Sequence, residues 1–103
     1  MATIAALPNT PNTVTLAADP VHRHVIDSMA WSYSGVPTGG GLQITDNGTT
    51  IFDLDITVAG GNTVVFRNGL GSILLGNAVT VTLDAGGLGI TGKLNVEWHD
   101  ENT

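Results

Sequence analysis

His22 and His24 lie two residues apart, so in an extended chain both imidazoles project from one side. There they could share a zinc ion if Asp27 or a residue of another chain supplied a third ligand. With no further His or Cys close by in sequence, the plainer reading is a solvated strand start at the rim of a sheet. Asp53 and Asp55 repeat the spacing, which sets their carboxylates ~7 Å apart, within reach of Ca²⁺ or of general acid and base work. The same pair also serves as a charged outer face that discourages edge pairing. His99, Asp100 and Glu101 form an acidic run near the end of the sequence, whereas a catalytic set needs a rigidly held nucleophile. No Gly-x-Ser-x-Gly elbow occurs, and Gly39-Gly40-Gly41 and Gly86-Gly87-Leu88-Gly89 lack the Lys and helix of a phosphate cradle. Trp31, Tyr33 and Trp98 could form a sugar-stacking platform. Trp98, however, shares its alternation with Leu94 and Val96 and belongs with a core, which leaves Trp31 and Tyr33 as candidates for an exposed partner-binding surface. No catalytic residue, metal or cofactor is expected.

The elements that would position these groups are strands. Over residues 50–58, Phe52, Leu54, Ile56 and Val58 fall on one side and Asp53, Asp55 and Thr57 on the other, the period-two pattern of a half-buried strand. Val79, Val81 and Leu83 alternate with Thr80 and Thr82, and Leu94, Val96 and Trp98 with Lys93, Asn95 and Glu97. Asn47-Gly48, set between two such runs, is the signature of a type I′ hairpin, which needs positive φ at both central residues. Further strands are expected at 13–17, 24–34, 42–45, 63–67, 78–84 and 90–99, with turns at Asp19-Pro20, 35–40, 60–62 and 85–89. Residues 68–77, with Ile73-Leu74-Leu75 between glycines, read as a turn that plugs one end of the core, or as a short buried strand.

About seven or eight short strands with glycine-rich turns and no helical period imply an all-β fold, an antiparallel β-sandwich or jelly roll. Pro8 and Pro11 disfavour helix in residues 1–12, which read as an extended N-terminal arm ahead of a sandwich domain at 13–103. Ile4 and Leu7 are of little use to an arm bathed in solvent, so they are expected to dock on a neighbour, or else to tuck into their own domain.

The chain has 103 residues, close to the size of one domain, enough for one core but not for a deep cleft between two lobes. Three basic residues against nine acidic ones give a net charge of −6, which would repel a phosphate backbone, so nucleic acid is a poor partner. There is no cysteine, which removes disulfides, thiolate metal sites and a thiol nucleophile. No run approaches the ~20 apolar residues that span a bilayer, and nothing near Met1 reads as a targeting signal, so a soluble chain is expected.

The stretches HVIDSMAWSYSG (24–35), PTGG (37–40), LQITD (42–46), AVTVTLDAGG (78–87) and GKLNV (92–96) resemble small structural proteins of tailed double-stranded DNA bacteriophages. In size and in Gly-, Thr- and Val-rich β sequence the chain is similar to head decoration, or cement, proteins. That resemblance covers residues 24–98 and implies a virion protein on the outer capsid surface, commonly a trimer, whose partner is the major capsid protein. It implies no catalytic residue. Partner contact would then rest on Ile4, Leu7, Trp31 and Tyr33 and on free strand edges. A phage tail or fibre module, a carbohydrate-binding sandwich and a small hydrolase are the rival readings, in that order.

Overall fold

The structure, a computed structural model, describes residues 2–5, 8–71 and 77–102; for 2–5, 68 and 71 it describes the backbone alone. The described residues form eight strands: β1 (Ala2–Ala5), β2 (Asn12–Leu16), β3 (His22–Tyr33), β4 (Gly40–Asp46), β5 (Thr49–Ile56), β6 (Gly60–Gly71), β7 (Val79–Leu83) and β8 (Gly92–Asn102). Alternation makes them strands. β2 and β7 bury every second residue, Val14 and Leu16 in one and Val79, Val81 and Leu83 in the other, while their threonines face outward. Asn47 and Gly48 have φ of 51° and 85°, so the expected type I′ turn is formed and joins β4 to β5.

The strands form two four-stranded sheets, in the orders β1-β8-β3-β6 and β2-β7-β4-β5. Every pairing is antiparallel. The pairs β1·β8, β2·β7, β3·β6 and β4·β5 nest inside one another, as in a single long ribbon folded at the Asn47-Gly48 turn and then rolled until β3 meets β8 and β4 meets β7. That is a jelly roll, and the expected all-β class holds. Its core lies between the sheets: Ile26, Met29, Leu94 and Val96 from one and Leu42, Ile44, Val81 and Leu83 from the other are wholly buried.

Three features differ from the expectations. Residues Ala2–Ala5, read as part of a free arm, run antiparallel to β8 with Ile4 opposite Leu94, so this stretch is an edge strand of the body, and Asn12 already opens β2. The side chain of Ile4, all of Leu7 and the expected plug at Ile73-Leu74-Leu75 lie outside the described residues. At the other end, residues 100–102 are not a loose polar tail: β8 continues to Asn102 because β3 starts early enough, at His22, to pair with it. Finally, Trp31 and Tyr33 are 8% and 2% exposed and belong to the core, which corrects their assignment to an open surface. The cause is a bulge. Ile26 faces Trp98 and Ser28 faces Glu97, so Asp27 is an extra residue in β3 and the inward-facing set changes from His24 and Ile26 to Met29, Trp31 and Tyr33.

Candidate functional site

The strand register gathers the connections 34–39, 57–59 and 84–91 at one end of the sandwich, because Tyr33 lies opposite both Gly60 and Gly92 and Gly40 lies opposite Ile56. Hydrogen bonds tie the 34–39 loop to the 84–91 loop: the Thr38 N–H donates to Gly86 O at 2.8 Å, the Ser34 N–H to Thr91 O at 2.9 Å, and the Thr91 N–H to Ser34 Oγ at 2.9 Å. The Asn9 N–H joins them by donating to Ile90 O at 2.8 Å. Tyr33 fixes the loops to the body, since its hydroxyl donates to Asp84 O at 2.7 Å, and its burial raises the phenol pKa. Three large apolar side chains nevertheless point to solvent from this end: Val36, Val58 and Leu88, the last 94% exposed. Val58, expected on the core side of its strand, lies beyond the end of β5 and is released from the alternation.

Beside this end the two sheets part. β5 and β6 are the outer strands of their sheets, and farther along them Phe52 and Phe66 meet edge to face, centroids 5.4 Å apart, bridging the gap. Between that pair and the turn at 57–59 lies a half-open cleft of about 310 Å³. Residues Trp31, Ile56, Val64, Asp55, Thr57 and Asn62 are among those that line it, Asp55 and Ile56 from opposite faces of β5. No hydrogen bond or ion pair within the described residues takes up the Asp55 carboxylate. The Asn62 amide is oriented by the backbone of the next residue, Oδ1 accepting the Thr63 N–H at 2.8 Å. Gly61 lets β6 approach β3 closely, for a Cβ there would stand 2.9 Å from Trp31 O.

The opposite end carries the histidines, each beside its own acids. His24 is 4% exposed. Its Nδ1 lies 2.6 Å from Asp100 Oδ1 and its Nε2 2.5 Å from Ala17 O, and its ring stands edge-on to Trp98 with centroids 5.8 Å apart. A carbonyl only accepts, as does an ionised carboxylate, so this pair of partners favours the form in which both ring nitrogens donate, the imidazolium. Burial alone would depress its pKa; the bonds to Ala17 and Asp100 outweigh that and raise it. On the outer face, His99 lies between Asp27 at 2.7 Å and Glu101 at 2.9 Å, and these two bonds, that to Asp27 foremost, raise its pKa. Glu101 also receives Arg23 at 2.8 Å. His22 stands 2.9 Å from Asp19.

Of the sequence candidates, His22 and His24 therefore do not converge on a shared ligand position, and Asp27 serves His99 instead. No group of three metal-ligating side chains occurs among the described residues. Asp53 and Asp55 are exposed on β5, with Asp55 alone at the cleft. The sequence reading missed the cleft and the apolar loop tips. Gly60-Gly61-Asn62 after an acidic alternating strand was the available sign of the first; solitary Val36 and Leu88 within glycine-rich loops were the sign of the second.

No family model matches the chain, and no curated protein matches it. Among solved structures it is similar to part of dimeric latent PorU from Porphyromonas gingivalis, with a TM-score of 0.50 and 12% identity over 96% of this chain and 11% of that one. A family 35 carbohydrate binding module from an environmental isolate is similar over 95% of this chain and 75% of that one, at 16% identity and a TM-score of 0.43. At such identities the likeness to PorU concerns the fold alone.

Proposed function

We propose that this protein is a non-catalytic attachment module that docks on the outer surface of a phage capsid and stabilises the shell by bridging its subunits, as the decoration proteins it resembles do. The observation that supports this reading is the loop end: Val36 and Leu88 are held out to solvent on hydrogen-bonded loops, and Val58 is exposed at the same end. Exposed apolar side chains on rigid supports suit a surface that water leaves on binding, and many copies on a closed lattice add their contacts together. The long strands of the jelly roll hold those loops, and the partner in this reading is the major capsid protein. Docking moves from the N-terminal stretch to the loop end, because β1 is engaged with β8 of its own body.

The test adds purified chain to capsids that lack it and measures occupancy by sedimentation. Wild type is expected to saturate the particles, whereas Leu88→Asp and Val36→Asp should each reduce affinity about tenfold or more while leaving the fold intact, since both sites are exposed. Binding to purified tails in preference to capsids, or equal occupancy by the Asp variants, would overturn the reading.

A further inference from the structure

The jelly roll leaves one long wall unfinished. β5 pairs with β4 and β6 with β3, and among the described residues neither has a second neighbour, so half of the N–H and C=O groups of both strands face outward from the same side of the sandwich. The core is incompletely covered there: Phe52, Leu54, Val64 and Phe66 pack on it yet stay partly exposed. The opposite wall offers strands of only four and five residues, β1 and β2, against eight and twelve here. We infer that a second copy of this chain completes the wall, β5 of one copy pairing with β6 of the other. Charge selects that pairing. The outward face of β5 carries Asp53 and Asp55 and that of β6 carries Arg67, and none of the three has an ion-pair partner among the described residues. Joining β5 to β5 would set two acid pairs side by side, a like-charge contact that a sheet resists, whereas joining β5 to β6 sets them against Arg67. Direction agrees. The short 57–59 connection turns the chain back, so β5 and β6 run in opposite senses, and a half-turn about an axis parallel to the strands lays each β5 antiparallel to β6 of the other copy with inward faces still inward. That rotation keeps each residue's height along the strands. Phe52 and Phe66 are level within one copy, centroids 5.4 Å apart, so Phe52 comes opposite Phe66 of the second copy, Asp53 opposite Val65 and Asp55 opposite Thr63. Arg67 then lies diagonal to Asp53, ~7–8 Å away and within reach of its long side chain, and Val65, 73% exposed, gains cover. A side of 43 by 20 Å offers close to the ~800 Å² per partner that a standard-sized interface buries. The same pairing also closes around such an axis with three copies, and in either ring every loop end points the same way. The inference stands apart from the capsid reading, because the free chain tests it.

The experiment uses the whole chain at physiological salt, where the net charge of −6 on each copy is screened beyond ~8 Å and close contacts decide. Sedimentation equilibrium from micromolar to millimolar concentration is expected to reach the mass of two or three chains. Arg67→Asp should weaken association about tenfold or more, because a closed pair carries the change twice, and Arg67→Asp combined with Asp53→Arg should return to within about threefold of wild type. The chain has no cysteine, so introduced thiols report contacts directly. On mild oxidation, Asp53→Cys chains mixed with Val65→Cys chains should cross-link, while either variant alone should not. Asp53, Val65 and Arg67 are all exposed, and the amide spectrum of each variant reports its folding; charge reversal and cross-linking are independent, so if one set fails to fold the other carries the test. A monomer throughout overturns the inference, as does a mass that grows without limit, an Arg67→Asp variant that associates like wild type, or Asp53→Cys cross-linking with itself, which would join β5 to β5.

Discussion

His24 exchanges water on both ring nitrogens for Asp100 and the Ala17 carbonyl, and so fastens the β2–β3 connection to the end of β8. Because its folded pKa lies above the ordinary 6.5, its contribution to stability is complete below about 6.5 and fades as pH rises through the folded value. Exposed His99 acts in the same direction. Asp19, bonded by the Val21 N–H, and Glu101, bonded by His99, have lowered pKa values, so their contributions are complete above the ordinary 3.8 and 4.5 and vanish as pH falls through the folded values. Urea midpoints should therefore peak between pH 4.5 and 6.5 and decline towards pH 8. His24→Leu should cost about 2 kcal/mol at pH 6, by leaving Asp100 and Ala17 O unpaired, and should flatten most of the alkaline decline; an unchanged decline would assign it elsewhere. Asn12 is the opposite case. It is 1% exposed, and neither atom of its amide has a hydrogen-bond partner, a burden of about 1–3 kcal/mol. Asn12→Leu should raise the midpoint, whereas a fall would reveal a buried water that the amide holds. Neither arrangement was legible in sequence, since each depends on residues far apart in the chain. Trp31 and Tyr33 were misplaced because they were assigned by setting Trp98 apart and not by the alternation of their own strand, in which the extra residue Asp27 shifts the inward set from His24 and Ile26 to Met29, Trp31 and Tyr33.

Among the elements, β5 and β7 were readable because each buries one face and each begins or ends near a glycine-rich turn; the Asn47-Gly48 hairpin was readable because its chemistry is local. The order of strands across the sheets was hidden, since one alternating run has no label for its partner. That difference sets the expected cost of truncation. Leu83 is wholly buried at the centre of its sheet, so Leu83→Ala should cost ~2–5 kcal/mol, as a core cavity does. Leu54 packs on the core only in part, at an outer strand, and Leu54→Ala should cost about 1–2 kcal/mol, with exposed Asp53→Asn under about one. Chemical denaturation of the three variants checks the ranking; equal losses for Asp53 and Leu54 would refute the face assignment. β1 covers residues 93–96 of β8. Deleting Met1–Ala6 should leave the sandwich folded but speed hydrogen exchange of the 93–96 amides and promote self-association, because a bare β8 edge offers its ladder to other chains. Unchanged exchange there would place β1 off the sheet.

At the scale of the whole molecule, β1, β2, β5 and β6 are the outer strands of the two sheets on a body 43 Å long, and Asp53 and Asp55 on β5 and Arg67 on β6 are the charges along the β5 and β6 edges. Sedimentation at micromolar concentration is expected to give a mass above that of one chain, a trimer in the decoration-protein reading; a strict monomer that assembles only on particles would confine oligomerisation to the capsid surface. The nested pairing has a further consequence, in time rather than in space. Of the strands that pair with each other, only β4 and β5 are joined by a short turn. The pairs β3·β6, β2·β7 and β1·β8 close progressively wider loops, the outermost linking residues 2–5 to 93–96. Loop-closure entropy makes each wider pair costlier to start, so the molecule should fold slowly, over milliseconds to seconds, and from its middle outward. Pulse-labelled hydrogen exchange during refolding should protect the amides of β4 and β5 first and those joining β1 to β8 last. A chain emerging from a ribosome would then hold β1 through β3 unpaired until β6, β7 and β8 had been synthesised, and a stall before β8 would strand the newborn chain with β3 bare on one side.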